Sequence, residues 1–344
     1  MSEVAFFKQS SDFAAMQNEL AITSDLSSGG MVRQLLKKEG RKKTELFACF
    51  EDMTFGPWVA TGEPEQLLRL RHRYWCKSGI AERVNRPRER RSLRKLLNAS
   101  DHVEIMIAGE GREQIFLLGL ANMLRQTARK GRIVQLFQYP SKKHWHSLAM
   151  LNLEALSERP NPKRVDDNLL TRLEEIWSVI ISNSPEALFA FRQHHTASDT
   201  LPYINRALDD LISSYPKVDN GLSLAQERLL KATPNEWTKS ARVVGHAMVG
   251  DEPDGRSFGD GILFSNLIGM SDQNQYNPTV EMRGDRRTMR ATEVRRTNFG
   301  EACLRGSGNH VSVNGIDTWV AGVHLNSAEG RIWFRNAEGN LANT

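Results

Sequence analysis

Leu20-Ala21-Ile22 runs into Asp25-Leu26-Ser27-Ser28-Gly29-Gly30, and Leu46-Phe47-Ala48-Cys49-Phe50 runs into Glu51-Asp52-Met53-Thr54-Phe55-Gly56-Pro57. Each is a short apolar run followed by a polar cluster. One helical segment, Met31 to Glu39, lies between them. The pattern reads as strand, polar loop, helix, strand, polar loop. In an open parallel sheet both loops sit outside the carboxyl ends of the strands, where such folds bind ligands.

The same alternation continues along the chain. A helix is expected over Glu65 to Lys77, carrying Leu67, Leu68, Leu70, Tyr74 and Trp75. Val103 to Ala108 reads as a third strand, Gly109 to Glu113 as its loop and Gln114 to Arg129 as its helix. A fourth strand, Ile133 to Phe137, closes at Pro140. Apolar runs alternating with helices predict a Rossmann-like parallel α/β sheet over residues 17–147, after a tail of residues 1–16. Right-handed crossovers then bring all three polar loops to one edge.

Residues 148–220 read as an α-helical middle, with Leu169, Leu173, Trp177 and Ile180 recurring at helical spacing. Residues 221–344 read as a winged-helix-like α+β unit. It opens on the capping box Ser223-Leu224-Ala225-Gln226. Helices at Ser240–Met248 and Asp260–Met270 follow, then strands at Thr279–Met282 and Thr292–Arg295. Its end, from Val311-Ser312-Val313 through Trp319–Val323 to Ile332-Trp333-Phe334, reads as a β-ribbon with Gly- and Asn-rich turns.

At 344 residues the chain is long enough for two or three domains. Its 40% hydrophobic and 25% charged content is that of a soluble globular protein. Met1 to Ala15 has no apolar signal-peptide core, and the longest apolar run, Ile115 to Leu124, is too short to cross a bilayer. A cytoplasmic protein with no membrane partner is expected. Cys49, Cys76 and Cys303 are widely spaced with no CxxC pair, which argues against a disulfide framework or a zinc site.

The net charge of +5 is unevenly spread. Arg86, Arg88, Arg90, Arg91 and Arg94 crowd one segment, Arg286, Arg287, Arg290, Arg295 and Arg296 another, and Lys37, Lys38, Arg41, Lys42 and Lys43 a third. Such patches meet phosphates of nucleic acid or an acidic protein, or they are solvated faces. The expected third helix of the winged-helix-like unit, Asp260 to Met270, has no Arg or Lys with which to read a groove. The arginines that follow it form a candidate basic wing.

The chain resembles a bacterial family of unknown function whose α/β unit carries a D-D-x-[ST]-x-G-P signature. Glu51-Asp52-Met53-Thr54-Phe55-Gly56-Pro57 matches it with Glu for the first acid. Leu201-Pro202-Tyr203-Ile204, Asn220-Gly221-Leu222-Ser223, Phe258-Gly259-Asp260, Asn314 to Trp319 and Gly322-Val323-His324-Leu325 match further along. The chain departs from the family at Ala321, usually glycine there, and at Trp333-Phe334-Arg335-Asn336. The resemblance implies the domain order and no reaction.

Three loops carry the candidate chemistry. Asp25, Ser27, Ser28 and Gly29 precede a helix and either hold an anion there or simply cap it. Glu51, Asp52 and Thr54, with Gly56 turning the chain away, either bind a ligand or magnesium or order a turn. Glu110 and Glu113, with Arg112, fall on the same edge. Asp25, Asp52 and Glu113 together are candidates for acid–base catalysis. His144-Trp145-His146 lacks ligand spacing, and the sequence specifies neither a metal site, a cofactor nor an oligomeric state. The leading expectation is a regulatory binding protein with an anionic ligand or nucleotide on the α/β edge and basic surfaces for nucleic acid or an acidic partner. The alternatives are a metal- or carboxylate-dependent enzyme at the strand ends, and an interaction scaffold.

Overall fold

Leu20, Ala21 and Ile22 are all fully buried, yet they face opposite ways, because their strand β1 (Glu19–Thr23) lies inside a sheet covered on both faces. The computed structural model describes residues 18–49, 52–60, 64–79, 86–140, 147–195, 198, 200–249 and 256–342, with side chains left out at 64–65, 68, 86–91 and 249. Helix α1 (Leu26–Lys38) leads to strand β2 (Glu45–Ala48). Helices α2 (Pro64–Lys77) and α3 (Arg86–Ala99) lead to β3 (His102–Ala108). Helix α4 (Gly111–Gln126) leads to β4 (Ile133–Tyr139).

The sheet order is β2-β1-β3-β4-β5. The first four strands are parallel, with Ile22 beside Phe47 and Ile105, and Ile105 beside Leu136. Helix α5 (Leu153–Ser157) precedes the antiparallel edge strand β5 (Lys163–Arg164), which the sequence reading did not foresee. From β1 the chain winds outward to β2, and from β3 the opposite way to β4. Right-handed crossovers in opposite directions put α1 and α4 on opposite faces. The period-2 pattern shows it: Leu20, Ile22, Val103, Ile105 and Ile107 pack with α4, while Ala21, Met106 and Ala108 pack with α1. The direction of winding reverses between β1 and β3, which is where such sheets open a ligand crevice.

Residues 148–220, read from sequence as a unit of their own, divide between the two faces of the sheet: Leu148, Leu151 and Leu156 join the α1-side core, and the helices that follow share the α4-side core. Helices α6 (Asp167–Ile180) and α8 (Ile204–Ser213) pack on α4, and α7 (Pro185–His194) packs on both. Leu173, Ile176, Leu208 and Leu211 join Leu20 and Ile105 in one cluster.

A second core gathers α9 (Leu224–Ala232), β6 (Thr238–Lys239), α10 (Ser240–Val249), α11 (Asp260–Met270), β7 (Val280–Gly284), β8 (Thr292–Arg296) and α12 (Asn298–Leu304). Its three strands form an antiparallel sheet in the order β6-β8-β7. Ser223 and Gln226 close the expected capping box at α9.

The C-terminal ribbon differs from expectation. Val311-Ser312-Val313 lies in a helix, α13 (His310–Asn314), because the Asn309 side chain caps it by accepting the Ser312 N–H at 2.9 Å. Strands β9 (Asp317–Val320) and β10 (Val323–Asn326) form a hairpin that packs on the first core, through Val320, Val323 and Leu325. Strands β11 (Phe334–Arg335) and β12 (Leu341–Ala342) form a second, short hairpin.

The β9–β10 turn is seated on the end of α6. The Gly322 N–H donates to the Ile180 carbonyl at 3.1 Å, and the Trp58 N–H to the Ala321 carbonyl at 2.8 Å. Among the described residues Ala321 alone adopts a positive φ (49°) without being glycine, at the position where the resembled family usually has glycine. A Cβ on Gly322 would run into the carbonyls of Ile181 and Ser182, which are backbone and cannot rotate away. Gly322→Ala is therefore expected to lower the unfolding free energy by about 2–3 kcal/mol in urea titration. A change below about 0.5 kcal/mol would show that the hairpin is not seated there.

Candidate functional site

Asp25 begins α1 rather than a loop. Its Oδ1 accepts the Ser28 N–H at 2.9 Å, and its Oδ2 accepts the Ser28 and Ser24 hydroxyls at 2.6 and 3.0 Å. The helix thus starts at Leu26, five residues before the expected Met31, and Ser27, Ser28 and Gly29 form its first turn. Ser27 points to solvent and Ser28 is buried. Gly29 is tight against Ala48 of β2, so its lack of a side chain serves helix–strand packing. The first amide a ligand would use is already taken by the chain's own carboxylate.

The second loop is held by an arginine that sequence reasoning passed over. Arg71 of α2 is fully buried. Its Nη1 donates to the Pro57 carbonyl at 3.0 Å, and its Nη2 to the carbonyls of Phe55 (3.0 Å) and Asp52 (3.4 Å). Its guanidinium lies 3.8 Å from the Trp58 ring centre. Asp52 Oδ1 accepts from the Thr54 N–H (2.9 Å) and hydroxyl (2.6 Å), ordering the turn as an Asx motif. Gly56, at φ 86°, supplies the left-handed residue and presses on Tyr74. Glu51 lies outside the described residues.

The third loop is where the acids meet. Arg112 reaches Glu110 at 2.9 Å and Asp52 at 3.6 Å, and Asp25 adds its field. Burial works against the Arg112 charge, but these three carboxylates hold its pKa above the ordinary value. Ser257, from the segment before α11, donates to the same Glu110 oxygen and accepts from Arg112 Nη2 at 3.3 Å. Glu110 Oε2 is buried without a hydrogen-bond partner among the described residues. Of the expected trio Asp25, Asp52 and Glu113, the first two act on Arg112 together with Glu110, and Glu113 does not join them.

Glu113 serves a different purpose. Its Oε2 accepts the Ala108 N–H at 2.6 Å and its Oε1 the Leu148 N–H at 2.7 Å. It ties the end of β3 to the segment after β4. Helix α8 closes the edge from the other side. Gly111 lies against the Asp210 carboxylate and the Arg206 carbonyl, leaving no room for a Cβ. Arg206 Nη1 donates to the Gly109 carbonyl at 3.1 Å, and Arg256 Nε lies 3.5 Å from Asp210 Oδ1. Among the described residues no group of three or more His, Cys, Asp or Glu is placed to hold a metal ion. His144, Trp145 and His146 lie outside the described residues. His324 stacks on Trp319 and bonds Asp317 at 2.8 Å, a surface arrangement far along the chain from the edge.

Two carboxyls in this cluster are pushed towards neutrality. Burial, then the charge of Glu110, raises Glu113 to about 8 against its two N–H bonds. Burial raises Asp210 to about 8, with Arg256 opposing and Glu110 assisting. In the unfolded chain such groups titrate near about 4. Between those values the folded state holds the extra protons, so stability is present at low pH and is lost as pH rises towards 8. Urea unfolding of Asp210→Asn at pH 5 and pH 8 is expected to show a smaller loss than the parent between the two. An equal loss in both proteins would place Asp210 outside that titration.

The basic segments divide sharply. Arg94 is exposed and donates to Gln126 at 2.7 Å. Arg86, Arg88, Arg90 and Arg91 lie in α3, and their side chains are outside the description. On the β7–β8 hairpin, Arg295 stands opposite Glu281 and Arg283 opposite Glu293, each pair at 2.7 Å. Arg283 and Arg295 flank the Trp237 ring at 4.4 and 4.8 Å. Arg296 pairs with Glu301 at 2.9 Å and is largely buried. Arg295 and Arg296, read from sequence as phosphate contacts, are thus part of the hairpin's own scaffolding. At the tip, Arg287 pairs with Asp285 at 2.9 Å, whereas Arg286 and Arg290 have no hydrogen bond or ion pair among the described residues. Helix α11 has Ile262, Leu263, Leu267 and Met270 buried, and Gly259 before it lies beside Arg112 and Asp52.

No family model matches the chain, and no curated protein sequence matches it. Among solved structures, it is similar to the Plasmodium falciparum topoisomerase II DNA-binding, cleavage and re-ligation domain, at 13% identity and a TM-score of 0.41. The match covers 83% of this chain and 48% of that one, so the chain spans about half the length of the structure it matches. A likeness of that degree bears on neither function nor partner. Among the described residues no helix is long and apolar enough to cross a membrane.

Proposed function

We propose that the chain is a regulatory nucleic-acid-binding protein, in which a Rossmann-like sheet carries a winged-helix-like module that grips phosphate backbone through its β7–β8 hairpin. The order α9-β6-α10-α11-β7-β8, with the sheet order β6-β8-β7, is that of a winged helix. In such modules the helix corresponding to α11 reads the major groove. Here α11 has no cation, and its start faces the sheet edge. Contact then falls to the hairpin, and it positions the protein without specifying sequence.

The carrying observation is the hairpin tip, where Arg286 and Arg290 have no hydrogen bond or ion pair among the described residues and the exposed Arg287 is paired with Asp285. Fluorescence anisotropy of the full chain with labelled duplex and single strand tests this. The proposal expects binding at low salt with little dependence on sequence; no shift with either probe at low salt removes it. The resemblance to the uncharacterised bacterial family belongs to the same proposal, since its signature loop is the one Arg71 anchors.

A second reading is favoured by Asp210, a buried carboxyl raised to about 8, and by Glu110, whose Oε2 has no hydrogen-bond partner among the described residues, both within the field of Arg112, which suits acid–base chemistry at the strand ends. A panel of nucleotides and divalent metals in thermal shift separates it. A ligand of that site raises Tm in the parent and not in Glu110→Gln.

A further inference from the structure

A polar cleft of 320 Å³ opens between α7, α8 and the β11–β12 hairpin, with Arg256 shared between it and the cluster at the strand ends. Arg335 is the unusual residue in it. It is only 6% exposed. Its backbone N–H donates to the Pro216 carbonyl at 2.9 Å, and its own carbonyl accepts from the Val218 N–H at 3.0 Å. Its Nε–H donates to the Tyr215 carbonyl at 3.0 Å. Main chain and stem are therefore fixed. Its two terminal nitrogens meet no acceptor among the described residues.

Buried N–H donors without an acceptor are costly, and the two terminal nitrogens of Arg335 are left to find acceptors in the cleft. Burial lowers the Arg335 pKa, the charge of Glu227 opposes it, Arg256 lowers it further, and Asp219 adds a smaller opposing field. Two more guanidiniums line the same cleft. Arg192 is held by a two-pronged contact to Asp209 at 2.6 and 3.2 Å. Arg256 Nε lies 3.5 Å from Asp210 Oδ1. Against these three arginines the lining offers Asp209, already spoken for, and Glu338, which is exposed. The Gln193 side chain donates to Asn340 at 3.0 Å and closes the cleft from α7 to the hairpin turn.

We propose that this cleft binds a small doubly charged oxyanion, a phosphate monoester or a dicarboxylate, gripped by the two terminal nitrogens of Arg335 with Arg256 as second cation. The planar fork of arginine matches both chemistries in a bidentate way. The volume is at the small end of ligand pockets, about 300–1,000 Å³, which suits a metabolite smaller than a dinucleotide. The site is separate from the nucleic-acid surface proposed above.

Isothermal titration of the full chain with inorganic phosphate, glycerol 3-phosphate and malonate, in chloride buffer, tests the proposal. Saturable binding of one class is expected, with a Kd below about 1 mM. Tighter binding of the phosphates names a phosphate ligand, and tighter binding of malonate a dicarboxylate. Arg335→Lys, which keeps the charge and loses the fork, should weaken that probe by about tenfold or more. Arg256→Gln, a less buried change, should do the same and decides the matter if Arg335→Lys does not fold. No saturation by any probe, or unchanged affinity in the folded variants, overturns it.

Discussion

Replacing Arg286, Arg287 and Arg290 together by glutamate is expected to weaken binding to duplex by about a hundredfold or more at low salt. Each arginine that meets a phosphate releases condensed counterions, and reversing its sign adds repulsion. The three sit at the exposed tip between β7 and β8. The Arg287–Asp285 pair does not compete seriously, since an exposed ion pair contributes about 0–1 kcal/mol. The fold should not notice the change. The hairpin below the tip is held by the Arg283–Glu293 and Arg295–Glu281 pairs and by the buried Met282 and Val294. Unfolding free energy within about 0.5 kcal/mol of the parent is expected, so lost affinity reports contact and not collapse. Unchanged affinity in a folded triple variant would remove the hairpin from the interface.

The other large effect concerns the loop that carries the family-like signature. Arg71→Leu is expected to lower the unfolding free energy by about 3–5 kcal/mol, because it orphans the carbonyls of Asp52, Phe55 and Pro57 together. The leucine fills part of the volume and replaces none of the donors. The Trp58 ring also loses the guanidinium stacked 3.8 Å above it. Urea unfolding followed by tryptophan fluorescence reads both consequences. A loss under about 1 kcal/mol would mean that the Trp58 Nε1 bond to Met53, 2.7 Å, holds the turn by itself.

The parallel sheet was legible because its central strands are buried on both faces, and so carry apolar runs such as Ile105 to Ala108. The start of α1 was misplaced for a local reason. Ser27-Ser28-Gly29-Gly30 has loop composition, and only the Asp25 carboxylate reaching the Ser28 N–H shows that it is helix. Val311 to Val313 misled in the same way: β-branched residues read as a strand, while Asn309 capped a short helix.

At the edge, strand order brings Asp25, Asp52 and Glu110 towards Arg112, whereas Glu113, the third acid expected from the sequence, turns to backbone N–H groups. Asp210, Arg206, Arg256 and Ser257 were missed because they arrive by tertiary packing, when α8 docks on a glycine and the segment before α11 folds back. A signal for Arg71 did exist. It lies four residues from both Leu67 and Trp75, on the apolar stripe of its helix, where a charge requires buried acceptors. Asp210 likewise sits between Leu208 and Leu211 on the buried side of α8.

The central claim, that the hairpin engages phosphates, is tested most directly by the salt dependence of duplex binding by the intact chain. Three arginine–phosphate contacts predict that log affinity falls against log salt with a slope near about −2.7, or about 40-fold between roughly 50 and 200 mM. A slope near zero, or no measurable binding at about 50 mM salt, would contradict it.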